Sequence, residues 1–120
     1  MNPIQQVIKV EDRKYYEKHL SIVGVLLPTN LTKTEISVLA CFMSLDKKII
    51  EEDMFNPVSR KEVMKRLNLS PGGLSNHIGS MIDKKVLEQS EITKRIKIKE
   101  FLLPENNHQG YQIKLVKDGI

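Results

Sequence analysis

The chain has 120 residues, 40% of them hydrophobic and 28% charged, with a net charge of +4. That length and balance suit one globular domain with a modest core, not a disordered tail. The single cysteine, Cys41, excludes an internal disulfide. The longest apolar run, residues 22–27 with Gly24 inside it, is too short for a signal peptide or a membrane span. These features predict an intracellular, cytoplasmic protein that does not enter a membrane.

Residues 1–30 read as an N-terminal extension. Ile4, Val7, Ile8 and Val10 suit a short strand or a helical turn, and both readings stay open. Residues 11–27 place Tyr15, Tyr16, Leu20, Val23 and Leu26 on roughly one helical face, with Gly24 and Pro28 marking its end. Such a helix covers the core or forms a subunit interface. Residues 31–120 make up the main domain. Residues 31–45 predict a helix: Thr32 and Glu35 have capping-box spacing, and Ile36, Leu39, Ala40, Met43 and Leu45 supply a buried side. Cys41 falls inside it and is expected in the core. The connection at 46–57 carries the apolar anchors Ile49, Ile50, Met54 and Phe55, of which Phe55 is expected to pin it down.

Residues 59–85 hold the central motif. Ser59 and Glu62 form a second capping-box pattern, and Val63, Met64 and Leu67 follow at helical spacing. Asn68 and Leu69 interrupt the run. Ser70 then supplies a favoured N-cap and Pro71 a favoured first helical residue, ahead of an apolar stripe of Leu74, Ile78, Met81 and Ile82. The pairs Leu31 with Ile36, Val58 with Val63, and Leu69 with Leu74 each have the spacing of a hydrophobic staple. Two helices joined by an Asn-containing turn have the sequence form of a helix-turn-helix.

After the motif the period changes to two. Residues 93–103 set Ile96 and Ile98 against Arg95, Lys97 and Lys99, and residues 111–116 set Tyr111, Ile113 and Leu115 against Gln112, Lys114 and Val116. An antiparallel hairpin of these two strands is expected around the turn-rich loop 104–110, with residues 86–92 as a further strand. That loop contains no Lys or Arg, and its His108 is expected to be solvent-exposed.

The segments LTKTEISVLACFMSL and LNLSPGGLSNHIGSMIDKKVLE resemble the opening helix and recognition unit of the winged helix-turn-helix family, MarR-like regulators among them. With LLPENNHQGYQIKL included, the pattern is also similar to small winged-helix proteins of tailed bacteriophages. The resemblance covers about residues 31–116. It implies an α+β fold of three core helices and a C-terminal β-hairpin wing. It also implies a small DNA-binding transcriptional regulator. The alternative it allows is a phage virion or packaging component that uses the fold for protein–protein contacts.

Charge points the same way. Residues 59–99 carry ten Lys or Arg against four Asp or Glu, a local balance of +6. In helix-turn-helix docking the second helix enters the major groove with its N-terminal residues toward base edges. Helical geometry turns Gly72, Gly73, Asn76, Gly79, Ser80 and Asp83 outward, with Ser75, His77 and Lys84 at the margins. Asn76 suits bidentate pairing with adenine, Ser75 and His77 suit a base or phosphate, and Ser70 at the helix start suits a phosphate. Arg60, Lys61, Lys65, Arg66, Lys84, Lys94, Arg95 and Lys97 are the phosphate-contact candidates. The reading face has no Arg or Lys before Lys84. Gly79 costs about 1 kcal/mol inside a helix relative to Ala, which points to close approach by a DNA or protein partner, or to a merely small surface position.

The expected partner is double-stranded DNA, with self-association or other subunits through residues 1–30 or the wing. His19, His77 and His108 are scattered, and neither a Cys/His cluster nor a carboxylate pair suggests a metal site, a cofactor or catalysis.

Overall fold

The computed structural model describes residues 12–24, 27, 30–50 and 53–104. It is an α+β fold. In chain order it runs α1 (Asp12–Val23), α2 (Lys33–Met43), the single turn α3 (Lys47–Ile50), α4 (Pro57–Leu67) and α5 (Pro71–Asp83). The strands β1 (Leu87–Gln89) and β2 (Ile96–Ile98) follow, and then a 3-10 turn over Glu100–Leu102.

Helix α2 is the centre of the packing. Val38, Leu39, Ala40, Cys41 and Phe42 are completely buried, because α1, α4 and α5 cover it on different sides. Its start is the predicted capping box: the Thr32 hydroxyl accepts from the Glu35 amide (3.1 Å), and the Glu35 carboxylate accepts from the Thr32 amide (2.7 Å). Cys41 is a core residue, and burial pushes its thiol pKa up. Phe55 pins the connection to the core, its ring 4.5 Å from that of Phe42. Helix α1 covers the core as well. Leu20 is fully buried, and Nε2 of the buried His19 lies 2.6 Å from the Leu102 carbonyl, bridging α1 to the 3-10 turn.

Helix α4 begins earlier than its sequence suggests. Asn56 is the N-cap, accepting from the Ser59 amide at 2.8 Å, and Pro57 is the first helical residue. Asn56 also donates from Nδ2 to the Ile49 and Asp53 carbonyls, so one side chain closes the connection and starts the helix. The expected Ser59–Glu62 capping box does not form. Ser59 sits in the first turn, fully buried, with no partner for its hydroxyl among the described residues, and Glu62 instead pairs with Arg66 at 3.0 Å. The staple expected of Val58 fails for the same reason, since Val58 lies inside the helix and is 62% exposed.

Asn68 ends α4 in the left-handed region (φ 54°), a conformation Asn tolerates better than most residues. Ser70 and Pro71 then start α5 as expected, the Ser70 Oγ accepting from the Gly73 amide at 3.0 Å. After α5, Lys85 turns left-handed (φ 66°) while its amide and that of Val86 return to the Ile82 and Met81 carbonyls. This closes the helix with a Schellman motif and directs the chain into β1.

Among the described residues the hairpin is made by β1 and β2. β2 pairs antiparallel with β1, in the register Leu87 with Ile98 and Gln89 with Ile96, around a turn at 90–95. The further strand expected within 86–92 is thus present and pairs with β2. Ile96 and Ile98 face inward and Lys97 outward, as the alternation predicts. The expected strand over 93–103 stops at Ile98, because the 3-10 turn buries Leu102 completely. Residues 105–120, including the strand expected at 111–116 and His108, lie outside the described residues, as does the strand or turn expected at 4–10.

The Asn56 and Ser59 roles make opposite predictions. Asn56→Ala loses a cap and two bridging bonds and is expected to destabilise by about 1–2 kcal/mol. Ser59→Ala removes an unpartnered buried hydroxyl and is expected to leave stability unchanged within about 0.5 kcal/mol or to raise it. Urea unfolding midpoints of the two variants check both.

Candidate nucleic-acid interface

Helix α5 buries Leu74, Ile78 and Met81, which leaves its polar side outward. Gly72, Ser75 and Asn76 are exposed at its N-terminal half, and Gly73 and His77 are half-buried. Ser70 is exposed, but its hydroxyl is already occupied as the N-cap. A Cβ on Gly73 would meet the Ser70 Oγ at 3.1 Å, so glycine there accommodates the cap. A Cβ on Gly72 or Gly79 would meet nothing within 4 Å among the described residues. Internal packing does not require those two glycines.

Two predicted contact residues face the protein instead. The Glu35 side chain is almost wholly buried, and it accepts from Ser80 Oγ at 2.8 Å and from Lys84 Nζ at 2.6 Å. Lys84 Nζ also donates to the Asn30 carbonyl at 3.0 Å. Ser80 and Lys84 are thus engaged in holding α5 against the start of α2, which corrects the outward placement expected of Ser80. The physical reason is the cost of a buried carboxylate, which demands several donors and takes the nearest ones.

The remaining cations divide into engaged and uncommitted. Arg60 is half-buried and donates from Nε to the Phe55 carbonyl (2.8 Å), while Arg66 pairs with Glu62. Lys99 pairs with Glu88 at 2.6 Å, an ion pair that lowers the Glu88 pKa, and Lys97 lies 4.0 Å from the same carboxylate with its side chain 80% exposed. Lys61, Lys65, Lys85, Lys94 and Arg95 are exposed and pair with no carboxylate among the described residues.

Lys94 and Arg95 sit at the hairpin turn, a position the sequence reading assigned to a strand approach. The signal lay in the short segment 86–92, whose pairing with β2 makes 90–95 the connecting turn. Among the described residues no three His, Cys, Asp or Glu side chains cluster closely enough to hold a metal ion, and no helix is long and apolar enough to cross a membrane.

No protein-family model, curated protein or solved structure matches this chain.

Burial alone would raise the Glu35 pKa, but the hydrogen bonds from Lys84, the Thr32 amide and Ser80, together with the Lys84 charge, outweigh it and hold the carboxyl below its ordinary value of 4.5. A depressed folded-state pKa means that the stabilisation is present above pH 4.5 and is lost as the pH falls through the lower folded value. Glu35→Gln is therefore expected to cost about 2 kcal/mol at neutral pH, and to flatten the acid limb of a stability–pH curve measured by urea unfolding. Gly79→Ala, by contrast, is expected to stabilise by up to about 1 kcal/mol through helix propensity, read as a higher thermal midpoint. If a partner backbone closes on α5 there, the same variant loses binding despite its greater stability.

Proposed function

We propose that the chain is a winged-helix DNA-binding protein, acting as a small transcriptional regulator. In this reading α4 and α5 are the helix-turn-helix and the β1–β2 hairpin is the wing. The observation that carries it is the turn at 90–95, which joins the two strands after α5 and presents two uncommitted cations, Lys94 and Arg95. A hairpin of two short strands around a cationic tip suits contact with phosphates beside a groove.

Helix α5 supplies the second part of the reading. Its exposed Asn76 and Ser75, with half-buried His77, are the groups available for base edges, while Lys61 and Lys65 on α4 are available for the backbone. Ser80 and Lys84 drop out of the contact set, and Arg60 contributes less than an unengaged arginine would. Affinity then comes mainly from phosphates, and sequence discrimination from few side chains.

The open glycine face of α5 favours a second reading, a virion or packaging component of a bacteriophage in which another subunit packs closely over Gly72 and Gly79. Measuring the mass of the native assembly distinguishes a ring or shell component from a monomeric or dimeric regulator.

Titration of fluorescent duplex DNA over a salt series tests the first reading. Affinity is expected to fall steeply as salt rises. The double variant Lys94→Ala/Arg95→Ala is expected to reduce the slope of log K against log salt by about 2, close to 0.9 per phosphate contact. Absence of duplex binding at low salt overturns the proposal.

A further inference from the structure

The same turn carries an apolar side chain that the core does not use. Ile92 is 94% exposed, the most exposed large hydrophobic residue described, and it lies at the outermost part of the hairpin turn. Turn positions of this kind normally carry Gly, Asn, Asp or Ser, for which the backbone geometry and solvent contact are favourable. An isolated exposed Leu or Ile is ordinary on a protein surface. Three further observations set this one apart.

The turn that presents it is stiff. The Ser90 amide donates to the Arg95 carbonyl and the Lys94 amide to the Ser90 carbonyl, both at 2.9 Å. The Thr93 amide donates to Ser90 Oγ (3.2 Å), the Arg95 amide to Thr93 Oγ1 (3.3 Å), and Gln89 Nε2 to the Lys94 carbonyl (3.1 Å). Ile92 is therefore held out on an ordered tip, and little further ordering accompanies its burial against a partner.

The charge around it is that of a polyanion-binding surface. Lys94 and Arg95 stand on the turn and Lys97, 4.0 Å from Glu88, on β2, against one nearby carboxylate that has no ion pair among the described residues, Glu91. Glu88 is already engaged by Lys99. The tip is also narrow, a few residues across at the end of a two-stranded ribbon.

We propose that Ile92 is an apolar wedge for duplex DNA. The hairpin tip enters the minor groove, Lys94 and Arg95 contact the phosphates on either side, and Ile92 inserts partway into a base step, opening and bending it. Proteins that bend DNA from the minor groove use Ile, Leu, Met or Phe in this way, kinking the duplex by about 20–90°. The insertion is least costly at pyrimidine–purine steps, which unstack readily, so such steps are the preferred sites. This inference rests on the duplex-binding reading above and adds a deformation of the DNA that phosphate contacts alone do not produce. A lipid surface is a poorer occupant, because interfacial binding needs a whole apolar face and the tip offers one side chain.

The test uses the full chain and a duplex with a fluorescent base analogue beside a central TpA step and a donor–acceptor pair on its ends. The wild type is expected to raise the analogue fluorescence and to shorten the end-to-end distance. Ile92→Met is expected to keep both responses. Ile92→Ser is expected to lose both while remaining bound with an unchanged salt slope, and as an exposed substitution it leaves the circular dichroism spectrum unchanged. Bending by Ile92→Ser equal to that of the wild type, or binding by the wild type without unstacking, overturns the wedge and leaves the DNA-binding reading intact. Failure of the wild type to bind duplex at low salt overturns both. Ile92-dependent binding to phosphatidylserine vesicles, with no binding to duplex, also overturns both and assigns the tip to an anionic membrane surface.

Discussion

The Glu35 carboxylate is the constraint on which the arrangement of the helices depends. It is buried where an unpaired charge would be prohibitive, and it is tolerated because three groups, one beside it in sequence and two at the end of α5, donate to it. The Thr32 amide ties it to its own helix start, Ser80 and Lys84 bring the last turn of α5 to the same point, and Lys84 also reaches the Asn30 carbonyl. The orientation of α5 relative to α2, and hence of the hairpin that begins at Leu87 after it, follows from satisfying one acidic side chain. A lysine at the C-terminal end of α5 is also favourably placed against that helix's dipole.

This arrangement separates two uses of positive charge. Lys84, Arg60, Arg66 and Lys99 stabilise the fold through short bonds to carboxylates or carbonyls. Lys61, Lys65, Lys85, Lys94 and Arg95 remain exposed, and the hairpin turn concentrates two of them. Net charge along the sequence does not distinguish the two groups. The local excess of +6 over residues 59–99 overstates what is available to a partner, since part of it is used internally. What remains lies more on the hairpin and the outer side of α4 than on α5, whose exposed side is made of small polar residues and the carboxylate of Asp83.

The two helices of the motif start by the same device. Asn56-Pro57 and Ser70-Pro71 each put a capping side chain before a residue whose ring is already shaped for the first helical position. The second pair was legible because nothing competed with it. The first was hidden by Ser59 and Glu62 three residues on, which have equally good spacing. Spacing alone does not choose between two nested caps. Asn56 forms the cap and two further bonds to the connection, whereas Ser59 is drawn into the core.

What the sequence determined by itself is local. The Thr32–Glu35 box, the start of α5, the apolar stripe of Leu74, Ile78 and Met81, and the alternation of Ile96, Lys97 and Ile98 all follow from interactions within a few residues, and all stand in the structure. What the tertiary structure decided is which strand pairs with β2 and which outward-looking side chains turn inward. Ser80 and Lys84 meet Glu35 across 45 and 49 residues. Helical periodicity carries no information about a buried acid that far away, so a polar residue at the edge of a face reads as solvent-exposed. Period-two alternation likewise does not say where a strand's partner lies along the chain. The Schellman turn at Lys85 sends the chain from α5 into β1, whose pairing with β2 places Ile92, Lys94 and Arg95 at the tip of the hairpin.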